Sequence, residues 1–150
     1  MVEDKHFSKE NIKLNTKEEK DNMKLGLEFH SILEYIDFVN PNYDLIDNSF
    51  LKNKIKNFLD SELLKDIKNS KIYKEYEFVY KDNNIKYHGI IDLMIEYDDH
   101  IDIIDYKLSN IEDNNYILQL EGYKNYIKSI SDKDVNIYLY SILNNSFKKL

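Results

Sequence analysis

Cysteine, arginine, tryptophan and alanine are absent from this chain of 150 residues, and proline occurs once. Without cysteine the protein can form no disulfide, thiolate zinc site, iron-sulfur cluster or cysteine nucleophile, so any metal must be bound by oxygen and imidazole. No apolar run reaches the roughly 18 residues of a membrane span, and Met1–Glu10 is charged. The sequence therefore predicts a cytoplasmic protein with neither a signal peptide nor a membrane span.

The charge balance argues against one way of holding nucleic acid. There are 28 acidic residues against 21 basic ones, all of them lysine, and the net charge is −7. Such a surface repels phosphate on average and lacks the guanidinium forks that bind phosphates and guanines in a bidentate manner. Tight, independent DNA binding is therefore not expected, although carboxylates clustered around divalent cations reverse the local charge.

Hydrophobic patterning predicts a single α/β domain over residues 1–150, in which residues 1–15 form a polar N-terminal arm. Apolar residues at helical spacing predict helices, and runs rich in isoleucine, tyrosine, phenylalanine and valine predict a three-stranded meander and a closing hairpin. The predicted helices cover about 17–38, a stretch after Asn48, 62–67 and a segment from Asn114 or Asn115 to about 130, and the predicted strands cover 72–80, 85–97, 101–107, 135–143 and 146–150.

Acidic residues interrupt the apolar strands of the meander. Asp105 and Lys107 are two apart on the third strand, so both side chains project from one face. Asp92 interrupts the preceding strand, and antiparallel pairing can place it beside Asp105. Two carboxylates this close repel each other unless a cation lies between them, which predicts a hard-metal site for Mg²⁺ or Mn²⁺. On the first strand Glu75 and Glu77 share a face, and either could complete the cluster.

Two pairs of residues at helical spacing are further candidates. Gly26 and His30 share a helix face, and the missing side chain at Gly26 leaves room beside the imidazole. Gln119 and Tyr123 have the same spacing on the last helix. Taken alone, a helical histidine is more often a packed or surface residue, a glutamine a surface residue and a tyrosine a core residue.

Together these residues resemble a known set of motifs, that of the RecB-like nuclease family of the PD-(D/E)XK superfamily, including the C-terminal nuclease domain of helicase-nucleases. The resemblance covers roughly residues 26–150. It implies a restriction-endonuclease-like core, a mixed central sheet of about five strands flanked by helices. The matching motifs are, in order, Gly26-x-x-x-His30, Glu75-x-Glu77-Phe78, Gly89-Ile90-Ile91-Asp92, Asp105-Tyr106-Lys107 and Gln119-Leu120-x-x-Tyr123.

The resemblance implies metal-dependent hydrolysis of DNA phosphodiesters, commonly by an exonuclease, in DNA recombination, repair or the processing of foreign DNA. The implied cofactor is Mg²⁺ or Mn²⁺, and the absence of cysteine disfavours the iron-sulfur branches. In the implied site His30, Asp92, Asp105, Glu75 and the Tyr106 carbonyl bind metal, Lys107 is the catalytic lysine beside the catalytic carboxylates Asp92, Asp105 and Glu75, and Gly26, Gln119 and Tyr123 lie beside the substrate.

The expected partner is DNA, as single strands or ends. In relatives a fused helicase or a partner subunit often holds the DNA, so a helicase is the second candidate partner. Two other classes of function stay open: a catalytically inactive nuclease fold that binds DNA ends or a helicase, and a structural domain in which Asp105 and Lys107 close an ion network. The motifs do not determine the polarity of digestion, strand preference, exonuclease against endonuclease action, or DNA against RNA.

Overall fold

The structure, a computed structural model, describes residues 3–7, 17–108 and 115–150. None of the helices in these ranges is long and apolar enough to cross a membrane. The elements are β1 (Glu3–Phe7), α1 (Lys17–Tyr35), α2 (Ser49–Leu59), β2 (Lys71–Asp82), β3 (Ile85–Glu96), β4 (His100–Lys107), α3 (Asn115–Ile130), β5 (Asp134–Ser141) and β6 (Ser146–Lys149), with 3-10 turns at Tyr43–Leu45, Glu62–Leu64 and Ile67–Asn69.

The predicted α/β class is confirmed, with a mixed sheet flanked by helices that is consistent with a restriction-endonuclease-like core. The sheet has six strands, because β1 lies inside the stretch predicted to be a polar arm and pairs with β3 in parallel. Four of its five residues are polar, and a short edge strand needs no apolar alternation. Residues 1–2 and 8–15 of that arm lie outside the described residues.

Two predicted helices differ from the observed ones. The stretch 62–67 forms 3-10 turns in place of one helix. Helix α1 ends at Tyr35, three residues before the predicted end. The reason is local, because Asp37 Oδ1 accepts hydrogen bonds from the backbone N–H groups of Val39 (2.8 Å) and Asn40 (3.1 Å). A side chain that bonds its own backbone in this way competes with helix continuation.

Strand β3 is the centre of the sheet. Strand β2 pairs with one edge of β3 at every position except Glu75, through a turn in which Asn83 and Asn84 both have positive φ, as a two-residue hairpin requires. The other edge of β3 pairs with β1 and with β4 at its two ends. Strand β5 then runs parallel to β4, and β6 closes the sheet in antiparallel pairing with β5.

A gap opens in this second edge of β3. Pairing with β1 ends at Gly89, and pairing with β4 begins at Leu93 opposite Ile104. Among the described residues, 90–92 therefore have no strand partner on that edge. Asp92 and Asp105 would form the next pair of the β3–β4 ladder, so the ladder stops where the acidic residues begin.

The sheet separates two hydrophobic cores. The larger core lies between the sheet and helices α1 and α2, and its centre is Phe58, whose ring makes edge contacts with Tyr106 (5.2 Å) and Tyr140 (4.7 Å). Asn48 starts α2 by accepting a hydrogen bond from the Leu51 N–H (3.0 Å). The smaller core lies between the sheet and α3, and its buried helical residues are Leu120, Tyr123 and Ile127.

Next to the gap, the alternation of side chains between the two sides of the sheet is interrupted in both β2 and β3. Residues three apart in a regular strand point to opposite sides, yet Tyr73 and Tyr76 both contact the smaller core, as do Ile91 and Met94. Between these positions lies Glu75, whose φ of 48° is in the left-handed region. The ladder between β2 and β3 keeps one register across this point. Both strands therefore turn over together, without inserting a residue in either.

Two aromatic rings approach the backbone of β3 closely at Gly89. A Cβ atom at this position would overlap the ring of Phe78, its partner on β2, and would approach Tyr123 to 3.0 Å. The Phe78 ring covers the glycine and packs edge-on against Tyr123 at 5.5 Å. Glycine is required here because a backbone and two aromatic rings meet where a side chain would stand.

Candidate functional site

Helix α1 places His30 against the gap in the sheet. The buried side of the helix carries Phe29 and Leu33 into the larger core, and His30 lies on the same side, 5% exposed. Its ring packs edge-on against Tyr106 at 5.3 Å, which fixes the plane of the imidazole. Nδ1 then lies 3.4 Å from Asp92 Oδ1 and 3.7 Å from Glu75 Oε1.

The strands supply two carboxylates to the same point. Glu75 and Asp92 occupy opposing positions in the β2–β3 register, at the place where both strands turn over. One ligand atom from each of His30, Glu75 and Asp92 lies within 4.8 Å of the other two. Ligand atoms of one divalent cation are separated by comparable distances, since each lies about 2.0–2.6 Å from the ion.

Several buried polar atoms at this point have no hydrogen-bond partner among the described residues. They include His30 Nδ1 and Asp92 Oδ1. Asp92 Oδ2 accepts a hydrogen bond from the Tyr106 N–H (2.9 Å), so within the described ranges only one oxygen of this carboxylate has a hydrogen-bond partner. A buried polar atom without a partner is costly, and its presence here indicates that another group completes the site.

The carboxylate of Asp92 carries the electrostatic strain of the cluster. Burial raises its pKa well above the ordinary value of 3.8, and the charge of Asp105 raises it further, against the lowering effect of the Tyr106 N–H. The charge of Glu75 acts in the same direction. A cation at this point would relieve both the desolvation and the repulsion.

Asp105 and Lys107 form a buried ion pair beside this cluster. Lys107 Nζ lies 2.8 Å from Asp105 Oδ2, and both residues are 1% exposed. Asp105 lies outside the group formed by His30, Glu75 and Asp92. The structure thus places this predicted ligand next to Asp92 with its charge opposed by Lys107. The role of the Tyr106 carbonyl as a ligand stays a prediction.

Among the described residues, three groups lie around the ammonium of Lys107. Besides Asp105, Gln119 Oε1 accepts a hydrogen bond from Nζ at 3.3 Å, and the ring of Tyr116 lies 4.1 Å from Nζ. An aromatic face attracts a cation at this distance. The sequence placed Tyr116 on the α3 face of Gln119 and Tyr123 at helical spacing, which favours a core or rim aromatic with base stacking as the lesser alternative, and it did not predict the contact with Lys107.

The predicted substrate residues on α3 are turned inward. Gln119 is 8% exposed and Tyr123 is 0% exposed. The Tyr123 hydroxyl accepts from Gln119 Nε2 (2.8 Å) and donates to the carbonyl of Ile90 (2.8 Å). Tyr123 therefore has no surface with which to touch DNA, and the structure places both residues behind Lys107.

The structure also gives the positions of the candidate residues Glu75 and Glu77 on β2 and Gly26 on α1. Glu77 is exposed, whereas the Glu75 side chain is 16% exposed and lies with His30 and Asp92 in the group that could hold a metal. Gly26 is buried one turn before His30, and, apart from its own helix, none of the described residues lies within 4 Å of a Cβ atom built there. A substrate contact at Gly26 stays a prediction.

The left-handed backbone conformation of Glu75 is expected to lower the stability of any variant that carries a Cβ atom there. Glu75→Gly is expected to give a chelator-treated protein about 1 kcal/mol more stable than Glu75→Gln, because glycine alone removes the Cβ clash of a positive φ. Both variants lose the carboxylate, so the comparison isolates the backbone. Urea unfolding in chelator measures the difference, and equal stabilities would contradict a left-handed Glu75 in solution.

The arrangement brings an imidazole and two carboxylates to one point, with an ammonium and its carboxylate partner alongside. Such a group can bind a divalent cation and present a positive charge next to it. No protein-family model matches the chain, and no curated protein is similar to it in sequence.

Proposed function

We propose that this protein is a metal-dependent nuclease that hydrolyses DNA phosphodiester bonds. One observation carries the proposal: His30, Glu75 and Asp92 converge beside the ammonium of Lys107, and among the described residues the buried His30 Nδ1 and Asp92 Oδ1 atoms have no hydrogen-bond partner. The order of these residues along the chain supports the resemblance to RecB-like nucleases. An exonuclease of DNA recombination, repair or foreign-DNA processing is the activity that this resemblance favours.

The donor set fits a hard or intermediate divalent cation. His30, Glu75 and Asp92 provide one imidazole nitrogen and two carboxylate oxygens. The chain has no cysteine thiolate to select a soft metal. Mg²⁺ and Mn²⁺ are the proposed ions, and the imidazole favours Mn²⁺ in affinity. When bound, such an ion supplies Lewis-acid activation of the phosphate and lowers the pKa of water.

Lys107 and Asp105 have separate roles in the proposed reaction. Lys107, at the end of β4, can orient the attacking water or oppose the negative charge that develops on the phosphate. Asp105 keeps that ammonium in place through the 2.8 Å ion pair. The buried surroundings strengthen each interaction, because they exclude the water that would screen it.

A partner protein is expected to hold the DNA. With a net charge of −7 and no arginine, the chain lacks the basic surface that independent DNA binding needs. A helicase subunit or domain would supply it, and the nuclease site would then act on single strands or ends delivered to it.

Metal binding is tested first by thermal unfolding. A ligand that binds only the folded state raises its melting temperature, and at about 100 times its Kd the expected rise is roughly 5–10 °C for a chain of this size. Mn²⁺ is expected to act at lower concentration than Mg²⁺. A melting temperature that responds to neither ion would leave the buried carboxylates as a structural network and contradict the proposal.

Cleavage is tested with end-labelled linear and circular single-stranded DNA, each with Mn²⁺ or Mg²⁺ and with chelator. Loss of the linear substrate alone indicates end-dependent digestion, and loss of both indicates internal cutting. The same assay with duplex DNA and RNA gives the substrate class. Cation-induced stabilisation without cleavage of any substrate, also in the presence of a helicase partner, would favour the inactive module.

The inactive module has one observation in its favour. The Asp105–Lys107 pair is buried, as a purely structural ion pair would be. The unsatisfied atoms of His30 and Asp92 are not explained by that pair, which is why the catalytic function is preferred.

A further inference from the structure

A continuous series of hydrogen bonds, which we call the relay, lies behind Lys107. The Tyr123 hydroxyl donates to the Ile90 carbonyl and accepts from Gln119 Nε2, both at 2.8 Å, and Gln119 Oε1 accepts from Lys107 Nζ at 3.3 Å. We propose that Gln119 and Tyr123 are positioning residues that fix the Lys107 ammonium relative to the Asp92 segment of β3, and that they do not contact the substrate.

The direction of every bond in this chain is fixed by chemistry. The Ile90 carbonyl can only accept, so the Tyr123 hydroxyl must give its one hydrogen to it and can then only accept from Gln119. This requirement decides which end of the Gln119 amide faces Tyr123. The other end, which is the oxygen, must therefore face Lys107, where an ammonium needs an acceptor.

The chain is anchored at the gap in the sheet. Ile90 belongs to the segment of β3 that neither β1 nor β4 pairs with on that edge. The same segment carries Asp92, two residues later, at the proposed metal site. A partly buried carbonyl in such a gap needs a donor, and Tyr123 provides it. The relay thus ties the position of the ammonium to the backbone that also carries a metal ligand.

The relay holds the third side of the ammonium. Asp105 lies on one side of Nζ at 2.8 Å and the Tyr116 ring at 4.1 Å on another, and Gln119 provides the neutral acceptor. Without Gln119 the ammonium would lose this neutral acceptor, and the attraction of Asp105 would weigh more in its position. A lysine that has to act on a phosphate or water needs a defined position, because small displacements of a catalytic group lower the rate strongly.

The burial of Tyr123 separates this role from substrate binding. The ring is 0% exposed, is held between Phe78 and Gly89, and uses its hydroxyl within the protein. A substrate contact would need an exposed edge or hydroxyl. The kinetic consequence rests on the proposed nuclease function, whereas the geometry of the ammonium can be measured without it.

The first test measures the ammonium directly by NMR. The buried Lys107 ammonium is expected to exchange its hydrogens slowly with water and to give a ¹H–¹⁵N signal that Lys107→Arg removes. Tyr123→Phe, which keeps the ring, is expected to speed this exchange about five- to tenfold, the size expected for one lost hydrogen bond. Gln119→Met, which removes the acceptor itself, is expected to speed it at least as much.

The second test is kinetic. Tyr123→Phe is expected to lower kcat for DNA cleavage about tenfold while KM changes less than about twofold, since the substrate is not touched. Tyr126→Phe is the matched control, because its hydroxyl bonds only Tyr76 (3.2 Å) among the contacts described and lies on the same helix. It is expected to leave both the Lys107 signal and kcat unchanged.

The outcomes separate the two proposals. Faster ammonium exchange in Tyr123→Phe supports the relay even if the wild-type protein cleaves no DNA, and in that case only the nuclease proposal fails. Unchanged exchange in Tyr123→Phe and Gln119→Met overturns the relay. A raised KM with unchanged kcat in Tyr123→Phe also overturns it, because that pattern belongs to a substrate contact.

Discussion

Lys107→Met is expected to lower metal-dependent DNA cleavage by at least about 10²-fold, the effect typical of removing one preorganised electrostatic group from a site. The cation-induced rise in melting temperature is expected to remain, since Lys107 is not among the residues that converge on the ion. Methionine keeps most of the side-chain volume of the buried lysine. Gel assays of cleavage and thermal unfolding with Mn²⁺ measure the two effects.

Stability needs its own control in this experiment. Removing one partner of a buried ion pair costs about 3–5 kcal/mol, because Asp105 is left without its cation. The double variant Lys107→Met/Asp105→Asn removes both charges, so it is expected to recover stability but not cleavage. Lys133→Met, which breaks the 3.0 Å pair with Glu96, is a matched control with full activity expected. Cleavage at the wild-type rate by folded Lys107→Met would remove Lys107 from the mechanism.

Asp92→Asn is expected to abolish both cleavage and the cation-induced rise in melting temperature, and to make the chelator-treated protein more stable at neutral pH. The folded-state pKa of Asp92 is raised by burial and by Asp105, so the folded state binds the proton more tightly than the unfolded chain does. The resulting stability is complete below the ordinary pKa of 3.8 and is lost as pH rises through the folded-state pKa. Asparagine has no proton to lose.

The expected measurement is a comparison of unfolding curves between pH 4 and 8 in chelator, where the wild-type protein loses stability with rising pH and Asp92→Asn loses less. Asp102→Asn is the matched control. Asp102 is also buried on β4, burial also raises its pKa, and Asn136 donates a hydrogen bond to it at 3.1 Å. It too should flatten the curve but should keep the response to Mn²⁺. A retained cation response in Asp92→Asn would contradict a metal site at Asp92.

The strand pattern shows how far local sequence could reach. The spacing of Asp105 and Lys107 placed them on one face of β4, and the structure pairs them at 2.8 Å. The Asn83–Asn84 turn and the helical spacing of Gln119 and Tyr123 were likewise readable, because each depends on neighbours within a few residues. The five residues of β1 carried no such pattern and were predicted to be part of a polar arm.

The site itself depended on features that local patterns do not encode. Alternation allowed Glu75 and Glu77 equally, and the choice of Glu75 depended on where helix α1 brings His30. Helical spacing put Gln119 and Tyr123 on one face of α3, but only packing against β3 decided that this face turns inward toward Lys107.

The sequence by itself determined the chemistry on offer: oxygen and imidazole ligands, lysine as the only strong cation, and the periods that make strands and helices. The tertiary structure decided which of these groups meet. His30, Glu75 and Asp92 come from a helix and two strands, and their separation depends on strand register, on the gap in the edge of β3 and on the reversal of both strands. Contacts between distant segments are set by the packing of the whole domain, and short-range patterns contain little information about them.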